Sequence, residues 1–303
     1  MRIGIDLGGT KIEGMVVAAG GRVLQRRRIP APRGSYDDSI RAVAELVGTL
    51  EAETRERGTV GVGIPGAVSP ATGLIKNANS TWLNGKPMAD DLSRALARPV
   101  RLANDANCFA LSEATDGAGA GAAVVFGVII GTGTGGGVVV NGRLVTGANA
   151  IAGEWGHNPL PAPQDDERPG PACYCGRSGC LEGFLSGPAL ARDYLDDGGD
   201  AVTADAVAAR AAAGEPRAAA ALARYEMRFA RAIATVINVL DPDVIVLGGG
   251  LSNIDRLYAT VPALWSPFVF SDRVNTRLVR AVHGDASGVR GAAWLWPDPQ
   301  EPR

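Results

Sequence analysis

The chain has no strongly basic block, no long apolar run and little cysteine, histidine or lysine. Each shortage excludes something. Formal net charge is −2 over 303 residues, which gives no support to a nucleic-acid groove or an anionic-membrane surface. The longest uncharged apolar run, around "AAVVFGVII", is far too short to span a bilayer. The amino terminus, "MRIGIDLGGTK", starts at once on a strand-like run. It shows no basic n-region, apolar h-region or small-residue cleavage site. A soluble, cytoplasmic protein is the expectation, in a compartment where disulfides are disfavoured. Lysine is scarce beside abundant Ala, Gly and Arg, a bias of genome composition.

What remains is ordinary in bulk and unusual in detail. Hydrophobic residues make up 46% and charged residues 20%, normal for a soluble globular protein. The length allows two separate cores. The chain has four cysteines, and three of them fall within the eight residues Cys173 to Cys180, in "CYCGRSGC".

Strand and turn patterns recur. "RIGIDLGGTKIEGMVVAAGGRVLQRRRIPAP" reads as three strands joined by glycine turns, and "AAVVFGVIIGTGTGGGVVVNGRLVTGANA" repeats that grammar. Two copies of one supersecondary unit indicate a duplicated architecture. Between them, Ile40, Val43, Leu46, Val47 and Leu50 share one face of a helix. "RPVRLANDANCFALSEATDG" reads as a strand and then a helix, begun by Asn104 or Asp105 and ended by Gly117. The Pro-rich segment 159–171 reads as a polar surface loop. Ala-rich helices fill about 187–240, and "DVIVLGGGLSN" is a strand, three glycines and a helix start. The tail closes with a helix of small residues suited to close packing. Strands alternate with helices throughout, so the class is α/β.

Three glycine turns stand at strand ends. "DLGGTK" (Asp6, Gly8, Gly9, Thr10, Lys11) lies in a hairpin, which excludes a Walker P-loop and disfavours a dinucleotide fingerprint. Its backbone N–H groups can approach phosphate, the Thr10 hydroxyl can donate, and Asp6 can face Mg²⁺ through water. An ordinary tight turn is the alternative. "GTGTGGG" (Gly131 to Gly137) holds five glycines in seven residues, more than a hairpin needs. "LGGG" (Leu247 to Gly250) is the third. Together they favour a phosphate-rich ligand.

Asp105 falls at a helix start, where the dipole keeps a carboxylate ionised. Simple N-capping is one reading. Beside two phosphate-binding turns, the other is a base for phosphoryl transfer. Cys173, Cys175 and Cys180 have C-x-C-x4-C spacing, and His157 upstream can complete a tetrahedral zinc site. Redox chemistry is the alternative. His283 reads as a strand-end residue and Cys108 as packing. Glu154 and Glu182, close in sequence to His157 and Cys180, are candidates to hydrogen-bond a polyol.

With these residues assembled, the chain resembles the ROK family (repressor, open reading frame, kinase) of bacterial sugar kinases over essentially its full length. The resemblance lies in "GIDLGGTK", "GIPG", "LANDANC", "IIGTGTGGG", "AGEWGH", "CYCGRSGCLE", "DPDVIVLGGG" and "HGDASGVRGAAWL". The fructokinase, or manno(fructo)kinase, branch is especially similar in "KNANSTWLNGKP" and "GEWGHNPLP". N-acetylglucosamine kinases share the scaffold.

The resemblance implies an actin-like, hexokinase-type fold of two ribonuclease-H-like domains around an ATP cleft. These would be 1–115 plus 286–303, with the closing helix, and 116–285, with a zinc knuckle. It implies Asp105 as catalytic base and Gly66, Asn79, Asn104, Asp105, Glu154, His157 and Glu182 as sugar neighbours. It puts Asp6, Gly8, Gly9, Thr10, Lys11, Gly131, Thr132, Gly133, Thr134 and Gly135 at the phosphates of ATP, and Gly248, Gly249 and Gly250 near the adenosine. Structural Zn²⁺ would sit on His157, Cys173, Cys175 and Cys180, with one nitrogen of His157 on zinc and the other on sugar. ATP with Mg²⁺ would phosphorylate O6 of fructose, with mannose second. N-acetylglucosamine or glucose is the alternative substrate, and a sugar-sensing repressor a remoter one. A homodimer is the family's assembly.

Overall fold

The computed structural model describes residues 1–297, so 298–303 of the expected closing segment lie outside the described residues. The chain opens with strands β1 (Arg2–Leu7), β2 (Lys11–Val17) and β3 (Val23–Pro30). Helix α1 (Tyr36–Thr54) follows, then β4 (Thr59–Ile64), the short pair β5 (Ala67–Val68) and β6 (Ile75–Lys76), and α2 (Met88–Ala95). Strand β7 (Val100–Asn104) runs directly into α3 (Asp105–Asp116).

The second series begins with β8 (Val124–Ile130), β9 (Thr134–Val140) and β10 (Arg143–Leu144). Helices α4 (Glu182–Leu185), α5 (Gly187–Asp196), α6 (Ala204–Ala212) and α7 (Pro216–Leu240) come next. The chain ends with β11 (Val244–Gly248), α8 (Leu257–Trp265), β12 (Arg277–Arg280) and α9 (Ser287–Trp294).

The two main sheets have the orders β3-β2-β1-β4-β7 and β10-β9-β8-β11-β12. In the first, β2 lies antiparallel to β1 and β3, and β4 is parallel to both β1 and β7. In the second, β11 is parallel to β8 and β12. One strand order occurs twice, as the repeated turn grammar implies. Contacts gather the chain into two units. The first comprises Met1–Ala120, Gly137–Ala152 and the chain from Asp285, and the second Gly121–Gly136 and Gly153–Gly284.

Local chemistry sets the elements of the first unit. The Ser35 side chain caps α1 by accepting from Asp38 N, Asp37 and Asp38 occupy its first turn, and Arg55 ends it in the left-handed region. Val43, Leu46, Val47 and Leu50 are buried in a core with Ile3, Ile5, Ile12 and Val62. Each such side chain contributes about 1.5–3 kcal/mol by leaving water.

Helix α9 packs where side chains are missing. A Cβ on Gly61 would fall 1.9 Å from Ala292 O, and one on Gly291 would fall 1.7 Å from Cys108 O. This is backbone against backbone, so neither neighbour can swing away. Gly291→Ala is expected to cost about 3 kcal/mol or more, the top of the usual overpacking range. Urea denaturation checks it, and an unchanged midpoint would refute the packing.

The Pro-rich segment 159–171 differs from its expected character. It does carry polar surface, but Glu167 is buried and tied to α7. Its carboxylate accepts from Arg231 at 2.6 and 2.8 Å, from Arg228 Nε at 2.9 Å and from Gln164 N at 2.8 Å. Burial works to raise its pKa. The Arg231, Gln164 and Arg228 donors outweigh that and hold it at about 2. A lowered carboxyl stabilises the fold above its ordinary pKa of 4.5, and that stability is lost as pH falls from there towards 2. Glu167→Gln is therefore expected to cost about 3–5 kcal/mol at pH 7. Stability curves of the two proteins should converge as pH drops through that window. A constant gap would remove Glu167 as the acid-labile group.

Candidate functional site

In the first unit, the candidate residues gather around the start of α3. Asn104 is the N-cap, its Oδ1 accepting from Ala106 N at 2.9 Å and Asn107 N at 3.4 Å. Its Nδ2 donates to Gly66 O at 3.0 Å. Gly66 has φ +73°, and a Cβ there would meet Lys76 O at 2.3 Å and Ala78 N at 2.7 Å. Only glycine fits, for both reasons. That contact draws the 76–79 segment alongside, so Gly66, exposed Asn79 and Asn104 belong to one neighbourhood.

Asn84, which sequence reasoning did not single out, clasps the same segment. Its Oδ1 accepts from Ala78 N and its Nδ2 donates to Ala78 O, both at 2.9 Å. The signal was present in "NANSTWLNG", but the clasp depends on a turn that spacing does not reveal.

Capping thus belongs mainly to Asn104, which leaves Asp105 for other work. Asp105 keeps solvent access while its Oδ1 shares the Ala106 N–H at 2.8 Å. Protein packed around the carboxyl strips water from it and pushes its pKa above the usual range, against Ala106 N–H and the Asn104 side chain. The lowering expected at a helix start comes here from these hydrogen bonds and is outweighed by desolvation.

Asp6, at the end of β1, is pushed up to about 7. Burial does most of this, Asp105 and Glu13 add to it, and Lys11 and Arg28 oppose it. Cβ positions at Gly288 and Gly63 lie 3.4 and 3.8 Å from its carboxylate oxygens, so glycines wall it. Gly8 N donates to Lys11 O at 3.0 Å across the β1–β2 turn. Gly9 and Thr10 stay exposed at its tip.

In the second unit, His157 and the three clustered cysteines converge. One ligand atom from each of His157, Cys173, Cys175 and Cys180 lies within 4.8 Å of the others. Cys173 Sγ is 3.5 Å from His157 Nδ1, and Cys175 Sγ is 3.6 Å from Cys180 Sγ. All four cysteines of the chain are free thiols. Arg177 beside Cys175 holds that thiol down at about 6, so a thiolate is at hand at neutral pH. Three soft sulfurs and one imidazole in this compass suit tetrahedral zinc. His157 Nε2, expected to meet sugar, has Tyr174 Oη at 3.0 Å. Neither Tyr174 nor Arg177 was singled out from sequence.

The knuckle is pinned to its neighbours. Glu182 N donates to Gly156 O at 2.8 Å and Leu181 N to Asn158 O at 2.8 Å. Trp155 Nε1 donates to Gly135 O at 3.0 Å. Glu182, the first residue of α4, accepts from Thr134 N at 3.0 Å. The clustered cysteines, His157, Glu182 and the second glycine hairpin therefore form one hydrogen-bonded assembly, with exposed Glu154 just upstream.

The glycines of that hairpin have mixed causes. Cβ atoms at Gly136 and Gly137 would strike Phe126 and Ala106 O, at 2.9 and 2.8 Å. Those two serve the protein's own packing, which corrects a purely ligand-based reason for the run. A Cβ on Gly131 would meet, among the described residues, only Gly250 N at 3.9 Å and Gly249 Cα at 4.0 Å. Thr134 Oγ1 is buried without a partner among the described residues.

Gly248 ends β11, Gly249 takes φ +82° against Ile130 O, and Gly250 starts a 3-10 turn rather than the expected α-helix. Gly131, Thr132, Gly250, Leu251, Pro188 and Thr203 line part of a cavity of about 480 Å³. Its size and its glycine rim suit a nucleoside.

Known proteins resemble this chain in sequence and in fold. An N-acetyl-D-glucosamine kinase of Pectobacterium atrosepticum is 40% identical over 299 residues, covering 97% of this chain and 98% of its own. A ROK hexokinase from Thermus thermophilus superposes with TM-score 0.85 at 33% identity, over 96% of each chain. A ROK family glucokinase from Streptomyces griseus, in complex with glucose and AMPPNP, gives TM-score 0.78 at 26% identity. There the overlap is 97% of this chain and 98% of that one. The fold is the actin-like ATPase fold. The ROK family model matches residues 2–299, and the chain belongs to the ROK family.

Proposed function

We propose that this protein is an ATP-dependent hexose kinase whose preferred acceptor is N-acetyl-D-glucosamine. The single observation that carries the sugar is the 40% identity, across 97% of the chain, to a kinase of that specificity. Fructose, favoured by "KNANSTWLNGKP" and "GEWGHNPLP", is the second reading, with mannose beside it.

Asp105 acts as the base in this reading. It takes the proton of the attacking hydroxyl as a bond forms from that oxygen to the γ-phosphorus and the bond to the ADP oxygen breaks. Desolvation that raises its pKa improves it as a proton acceptor late in the transfer. Asn104 holds Asp105 at the helix start, and Gly66 and Asn79 face sugar hydroxyls. Glu154 and Glu182 meet acceptor hydroxyls, and His157, whose ring nitrogens face Cys173 Sγ and Tyr174 Oη, orients the acceptor through the knuckle and not by its own hydrogen bond.

Backbone N–H groups of Gly9, Thr132, Gly133 and Gly135, with the hydroxyls of Thr10 and Thr134, receive phosphate oxygens, while the N–H groups of Gly8 and Gly131 border the phosphates but donate to Lys11 O and Gly133 O, both at 3.0 Å. Gly248, Gly249 and Gly250 border the adenosine. Mg²⁺ would neutralise phosphate charge, and Asp6, with its glycine walls and Lys11 nearby, is the carboxylate suited to hold it through water. Zinc is structural. ATP consumption fits work in the cytoplasm.

The test is product identification. Protein, ATP, Mg²⁺ and N-acetylglucosamine are expected to give a 6-phosphate whose phosphorus couples to the C6 protons in NMR. A phosphate on another carbon would overturn the assigned acceptor oxygen.

A further inference from the structure

We infer that Tyr174 contacts substrate and sets specificity, donating its phenolic proton to the carbonyl oxygen of a sugar's N-acetyl group. The inference rests on the kinase reading above and adds a residue to it.

His157 turns Nδ1 to Cys173 Sγ at 3.5 Å. Zinc on the Nδ1 lone pair would leave the imidazole proton on Nε2. Tyr174 Oη lies 3.0 Å from Nε2, placed to accept that proton, and the two rings meet edge to face with centroids 5.1 Å apart. A phenol that accepts a hydrogen bond still has its own proton to give.

Among the described residues nothing takes that proton, and Tyr174 is 77% exposed. Its backbone is held as firmly as its hydroxyl. Cys173 and Cys175 flank it, and the turn closes through Cys173 N to Arg177 O at 2.8 Å and Gly176 N to Cys173 O at 3.0 Å. An exposed tyrosine is usually a free rotor. This one is fixed at both ends, and among the described residues its hydroxyl has no protein partner besides His157.

The chemistry around it selects the acceptor. Glu182 and Glu154 belong to the segments around His157: Glu182 N donates to Gly156 O at 2.8 Å, and Glu154 stands three residues before the histidine. As carboxylates they only accept, so they suit sugar hydroxyls. An amide carbonyl has no proton and needs a donor, which Tyr174 supplies. A hexose with a plain 2-hydroxyl has less need of it.

Tyr174→Phe keeps the ring and removes the proton. Calorimetric titration of the zinc-loaded protein with N-acetylglucosamine and with glucose reads the result directly. Affinity and KM for N-acetylglucosamine should worsen roughly tenfold, and those for glucose by less than about threefold, as for one lost hydrogen bond. Zinc per chain and KM for ATP should not move. Equal loss for both sugars would overturn the proposal and leave Tyr174 as a prop for His157, and no loss for either would also overturn it. Wild-type protein that binds these sugars but phosphorylates none would defeat the kinase reading, while the titration would still decide Tyr174. Wild-type protein that binds neither sugar would overturn both.

Discussion

Asp105→Asn is expected to lower kcat by roughly a thousandfold while sugar affinity stays near that of wild type, within the range general base catalysis supplies. Asparagine matches the carboxylate in shape. Asn104 continues to cap α3 and to hold Gly66 O, and an amide oxygen can still share the Ala106 N–H that Asp105 Oδ1 accepts. Only the capacity to take a proton disappears. ADP release measures turnover, and sugar titration shows that binding persists. Near-normal turnover in the mutant would remove Asp105 as the base. Joint loss of turnover and affinity would make it a binding residue first.

The second large effect is expected from removing zinc. Purified without added metal, the protein should carry one equivalent per chain. Chelation under mild denaturation should remove it, lower Tm by about 10 °C, as a few kcal/mol does at this size, and raise sugar KM roughly 10- to 100-fold. The reason is geometric. The four candidate ligands would be the clasp between Cys173–Cys180 and the turn at His157, and Glu182 hangs from that clasp through Gly156 O. Without metal, neighbouring thiols and an imidazole have little to hold them. The remaining core, including Tyr225, Phe229 and Ile233 of α7, should survive, so the loss is partial unfolding of the knuckle. A metal-free protein with unchanged Tm and full activity would contradict this.

These expectations separate what local sequence discloses from what it does not. The cysteine cluster was legible because thiols at C-x-C-x4-C spacing are close in the chain and can meet in one compact turn. The apolar stripe of α1 was legible because its period is 3.6 residues. Asp105 was legible as a helix start, though its raised pKa was not, because desolvation is a tertiary property. Glu167 in a Pro-rich loop gave no sign of burial. Its partners Arg228 and Arg231 lie 61 and 64 residues away. Gly136 and Gly137 read as ligand glycines because composition cannot tell a phosphate from Phe126 or Ala106 O. Tyr174 went unmarked because only the fold puts its hydroxyl on His157.

The most direct test of the central claim is kcat/KM for ADP release with ATP and Mg²⁺ across N-acetylglucosamine, glucose, mannose and fructose, on zinc-replete protein. N-acetylglucosamine is expected to rank first by roughly tenfold or more, the scale of discrimination that one well-placed hydrogen bond supports. Fructose ranking first would keep the kinase and move the specificity to the second reading. No ADP release with any of the four sugars would contradict the claim that this chain is a hexose kinase.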